Sequence, residues 1–114
     1  MRITEMMQKA IEDKEILNNK LTDLSNQLVS LEIKEFNKRT DLMNKLEKEA
    51  HEQGKKITDK TKTAHCDTEL KNEMNKIKHL KKDIDKVKRE IGLCNDKISL
   101  ARNMIRELQL EPII

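Results

Sequence analysis

Residues 70–108 read LKNEMNKIKHLKKDIDKVKREIGLCNDKISLARNMIREL, and this stretch decides the fold. Leu70, Ile77, Ile84, Ile91, Ile98 and Ile105 recur every seven residues. Leu80, Val87, Cys94, Ala101 and Leu108 follow them at the complementary spacing, with Glu73 the one polar member. Alternating steps of three and four place all of these on one stripe of an α-helix, the seam along which coiled-coil helices meet. Nearly six heptads of this kind predict a long amphipathic helix over about residues 67–111. Pro112 stops it, because proline has no N–H to donate and clashes with the preceding turn.

On the N-terminal side, residues 1–53 carry a second stripe: Ile3, Met7, Ala10, Lys14, Leu17, Leu21, Leu24, Leu28 and Leu31. Thr4 is a candidate cap, with Glu5 favourable in the first turn. Beyond Leu31 the register meets Glu35, Lys38 and Lys45, while the apolar residues move to Phe36, Met43, Leu46 and Ala50, so the seam slips sideways. Between the stripes, residues 54–66 form a weak linker: Gly54, Thr58, Thr61 and Thr63 lie there with few apolar residues. Glycine and threonine are poor helix formers. Gly54 suits the position just past a helix end, and Thr58 followed by Asp59 suits the cap of the next one.

Composition agrees. Charged residues make up 39% of the 114 residues and aromatics 1%, Phe36 being the single aromatic. Large aromatics supply much of a thick globular core, so a thin aliphatic seam is the alternative that remains. Two glycines and one proline are too few for the turns of a strand-based fold. The expected fold is therefore all-α, one coiled-coil domain over 1–114 with helix one about 3–53, helix two about 67–111 and a tail at 112–114.

Two architectures fit: an antiparallel hairpin with its tip near Gly54, or one continuous rod-like helix paired with another chain. A tip at Gly54 pairs Ile3 with Ile105, Met7 with Ala101, Ala10 with Ile98, Leu17 with Ile91, Leu21 with Val87, Leu24 with Ile84, Leu28 with Leu80 and Leu31 with Ile77. Flanking charges then attract at Asp13 with Lys97 and Lys20 with Glu90, but repel at Lys34 with Lys76 and Glu35 with Glu73. A parallel homodimer sets Lys76 against Lys81 and Lys97 against Arg102, which opposes it, since flanking charges choose partner and orientation.

Catalytic equipment is not expected. His65 and Cys66 are neighbours that point about 100° apart on a helix, and no second pair stands at zinc spacing. Cys94 reads as a small seam residue. The sequence contains no Gly-rich phosphate loop and no nucleophile–base constellation, so neither enzyme activity nor a cofactor is expected. Two scattered thiols fit a reducing compartment, and no apolar run approaches the roughly 20 residues that span a bilayer. With no signal-peptide core at the N-terminus, the expected location is intracellular, the cytoplasm first, with the nucleus also compatible.

The expected function is a structural or adaptor subunit that docks other coiled-coil helices, its own copies or foreign ones, in a larger assembly such as a cytoskeletal scaffold. Residues 1–54 hold nine Lys/Arg and eleven Asp/Glu, whereas residues 55–114 hold fifteen and ten. The basic run Lys76, Lys78, Lys81, Lys82, Lys86, Lys88 and Arg89, with Phe36 on helix one, is the candidate partner surface and favours an acidic face. The runner-up is an electrostatic binder of nucleic acid or an anionic surface through 76–89. Aliphatic interleaving removes base stacking and disfavours nucleic acid. Val29, Ile33, Leu110, Ile113 and Ile114 also fall outside both stripes, which implies further apolar contacts.

Overall fold

In the computed structural model, which describes residues 2–110 (the side chain of Leu110 excepted), the chain is all-α. Helix α1 spans Ile3–Glu52, α2 Asp59–Glu69 and α3 Lys71–Leu110. Pro112 and the expected tail, with Ile113 and Ile114, lie outside the described residues, as does the side chain of Leu110.

Helix α1 starts at Ile3 with the Met6 amide bonded to the Arg2 carbonyl, so Thr4 is inside the helix rather than its cap. Its other end closes as expected. Gly54 has a φ of 67°, the Lys55 amide donates to the Ala50 carbonyl at 2.8 Å and the Gly54 amide to the His51 carbonyl at 3.0 Å. This is a Schellman turn, which needs a left-handed residue that glycine supplies without a Cβ clash.

The linker is shorter than the composition implies. Thr58, in extended backbone, accepts a hydrogen bond from the Thr61 amide at 3.2 Å and starts α2 at Asp59. Residues 59–66 are therefore helical, not linker, and only Gln53–Thr58 separates α1 from α2. The cap and the four-residue spacing of Lys62, Cys66 and Leu70, all buried, extend the C-terminal stripe backwards through the threonine-rich stretch. At Leu70 the backbone departs from helical angles, yet its amide still bonds Cys66 and its carbonyl still accepts from Met74.

The chain divides into two compact units: Met1–Ser25 with Asp83–Ile114, and Asn26–Lys82. In the first, two stretches pack in opposite directions: Ile3 and Met6 border a hollow with Lys97–Met104, and Asp13 and Leu17 border another with Glu90 and Cys94. Ala10, Ile84, Val87, Cys94, Ile98 and Ala101 are its buried core. Met7, Leu17, Leu21, Leu24, Ile91 and Ile105 are half-buried around them. Leu108, which the heptad register places in the seam, is 59% exposed. Ile3, the first residue of α1, already lies beside Ala101 and Met104, so no described turn of α1 is left to cover Leu108.

In the unit Asn26–Lys82, α1 runs to the Gly54 turn and α2 with the start of α3 returns along it. Cys66, Leu70 and Leu80 are buried, and Leu28, Leu31 and Ile77 half-buried. The slipped seam passes through Glu35, Arg39, Leu42, Met43, Leu46 and Ala50, all half-buried, and leaves Phe36 outside it. The expected clash of Glu35 with Glu73 is replaced by two attractive pairs, Glu35 with Arg39 and Glu73 with Lys38.

Candidate helix-docking groove

Val29, Ile33 and Phe36 follow one another at steps of four and three, so they share a face of α1. That face is not the seam. The three side chains are 56%, 56% and 66% exposed. On the returning chain Met74, Asn75, Ile77, Lys78 and Lys81 border the same open groove, with Glu32 and Glu35 on the α1 side. The groove thus has an apolar floor, an acidic lip on α1 and a basic lip on α3.

A charged layer beneath one end holds the floor in place. Arg39 donates from Nε to Glu35 Oε1 at 2.7 Å, its Nη1 lies 2.8 Å from Asp67 Oδ1, and its Nη2 reaches the Met74 sulfur at 3.4 Å. The hydrogen bond to Glu35 raises the Arg39 pKa, burial opposes this, and Asp67 adds to the rise. Lys38 donates to Glu73 at 3.0 Å and, with Glu73's own amide, holds that carboxyl below its ordinary value. Nearer the tip, Lys62 is 8% exposed and bonds Glu47 and Asp59, the latter at 3.1 Å. Both carboxylates raise its pKa, Glu47 more than Asp59.

Of the basic run, only Lys78 and Lys81 line this groove; Lys76, Lys82, Lys86, Lys88 and Arg89 are exposed elsewhere on α3. His65 is exposed while Cys66 beside it is fully buried, so the two do not face a common site. Cys94 is also buried, and both thiols are free. Among the described residues no three His, Cys, Asp or Glu side chains are grouped to hold a metal ion, and no helix is long and apolar enough to cross a membrane.

The groove's α3 side was not read from the stripe alone. Met74 flanks Leu70 and Ile77 in the heptad, where a methionine does not stand out among seam residues. Its position next to the Arg39 cluster is a tertiary fact. The unit Met1–Ser25 with Asp83–Ile114 has apolar surface of its own at Met6, Ile16, Leu93, Leu100 and Met104. No protein-family model, curated protein or solved structure matches the chain.

Proposed function

We propose that the chain is a non-catalytic structural or adaptor subunit of a helical assembly, folded as one antiparallel hairpin, and that the Val29–Ile33–Phe36 face receives a further helix. The observation that carries this reading is that face itself. Three large apolar side chains at helical spacing stand mostly in water beside a fourth, Met74. Fully burying a side chain of this size stabilises by about 1.5–3 kcal/mol, and grouped apolar exposure of this kind marks interaction surfaces. An amphipathic helix laid in such a groove anchors through the same three- and four-residue spacing. The lysines of the α3 lip favour a partner helix with acidic residues along that edge. A reducing, intracellular compartment accords with two free, buried thiols.

A photo-crosslinking amino acid in place of Phe36, in the cells that make the chain, tests the reading. Crosslinks to helical protein, its own copies included, are expected from position 36 and not from position 82 on the exposed face of α3. No protein adduct from position 36, with salt-sensitive binding of a duplex DNA probe by the purified chain, would replace helix docking with the electrostatic reading.

A further inference from the structure

The two lips of the groove differ in sign, and this identifies what can cover it. Glu32 stands on the α1 lip; Lys78 and Lys81 stand on the α3 lip. In the same unit Lys38, Arg39 and Lys62 all have carboxylate partners, but Glu32, Lys78 and Lys81 have none among the described residues. Three unpaired charges thus border an apolar floor in complementary positions.

A second copy of the groove meets this pattern in one of two ways. A two-fold axis running across the helices, in the plane of contact, sets acidic lip on acidic lip and basic on basic. A two-fold axis parallel to the helices exchanges the lips and keeps every residue at its own height. Each Glu32 then faces Lys78 and Lys81 of the other copy, and the two Phe36–Ile33–Val29 floors close on each other. The contact is isologous and needs no surface beyond the groove itself.

We propose that the groove is covered by the same groove of a second copy, related by a two-fold axis parallel to the helices, so that the unit Asn26–Lys82 pairs into a four-helix layer. This rests on the helix-docking reading and names its occupant. Charge pairs at the lips of such a contact select the partner and its orientation, and the apolar floor supplies the adhesion.

Sedimentation equilibrium of the full chain at micromolar concentration tests it, with circular dichroism as the check on folding. The wild-type chain is expected to be a dimer. Phe36→Asp should be monomeric with unchanged helicity, because residue 36 is mostly exposed in the single chain. Glu32→Lys places lysine against Lys78 and Lys81 of the other copy, and the double variant Lys78→Glu, Lys81→Glu places glutamate against Glu32. Each alone should weaken dimerisation by about tenfold or more. An equimolar mixture of the two should recover it, because in the mixed pair both lips are again opposite in sign.

A monomeric wild-type chain overturns the proposal, and so does a mixture that stays monomeric or a dimer indifferent to Glu32→Lys. A monomer whose position 36 still crosslinks to a different protein removes the two-fold but keeps helix docking. A monomer without such crosslinks removes both.

Discussion

Lys62 brings an ammonium into the seam with its side chain only 10% exposed, between Glu47 and Asp59. A charge held this way is expensive to desolvate, and replacing it with an apolar side chain of similar length is often neutral or stabilising. Lys62→Met should therefore keep or raise the melting temperature. Lys62→Glu should lower it by setting a third carboxylate beside two. Thermal melts of both decide, and a large loss from Lys62→Met would mean that the pair anchors the register. Glu73 shows the corresponding dependence on pH. Its folded pKa is depressed, so its contribution is complete above the ordinary carboxylate pKa and disappears as pH falls through the lower folded value. Lys38→Met should flatten the melting temperature in that acidic window and leave the neutral range little changed. Such polar seam residues are the least legible part of the chain. A lysine, a glutamate or an arginine on a stripe reads as an interruption until its partner on the other helix is known. The four-residue spacing Lys62, Cys66, Leu70 was the available signal, hidden by the threonines around it. Cys66, fully buried 4.0 Å from the Arg39 carbonyl oxygen, gives an independent measure of that packing. Its thiol should react with a disulfide reagent far more slowly in the folded chain than in urea.

The helices were legible to the extent that repeated aliphatic spacing marks them. Nearly six regular heptads announce the C-terminal helix, and the positions from Ile77 to Ile105 line up along the covered face of α3. The start of α2 was half legible. Thr58 is recognisable as a cap, but the residues after it carry too little apolar character to reveal a helix held to α1 by the ion pair of Lys62 with Glu47. Two glycines now make opposite predictions. Gly54 sits at φ 67°, where a Cβ is strained, so Gly54→Ala should destabilise by about 1–2 kcal/mol. Gly92 lies within α3, and a Cβ there meets nothing within 4 Å. Gly92→Ala should stabilise by about 0.5–1 kcal/mol. Urea unfolding of the pair checks both signs in one experiment. At the seam, Ile84 is 6% exposed. Ile84→Asp removes a core side chain and buries an unpaired charge, costing on the order of 3–5 kcal/mol. Lys82→Ala, two residues away on the exposed face, should change stability by about 0.5 kcal/mol or less. Equal sensitivity at both sites would contradict the seam.

At the scale of the molecule, helices of 50, 11 and 40 residues leave little chain for anything else. Nine apolar residues are buried, Ala10, Ala101 and two cysteines among them, while eleven large apolar residues are exposed among those described. Helices that share so thin a core are marginal alone, and small domains of this kind gain stability from association. Association predicts mass-action behaviour. Raising the chain concentration tenfold should raise the melting temperature of the wild type and leave that of Phe36→Asp unchanged. The Gly54 turn also governs the order in which the structure can form. Loop closure costs more entropy the longer the chain it spans. Glu47 and Lys62 are close in sequence, whereas Ile3 and Met104 are separated by almost the whole chain. In the proposed hairpin, contacts beside the turn should therefore form first, each added pair shortening the effective loop for the next, so that pairing spreads from the glycine outward. Substitutions near the turn should slow refolding, and those at Ala10 or Ile98 should chiefly speed unfolding. In the proposed hairpin, the contact of Ile3 with Met104 should be the last to close and the first to open.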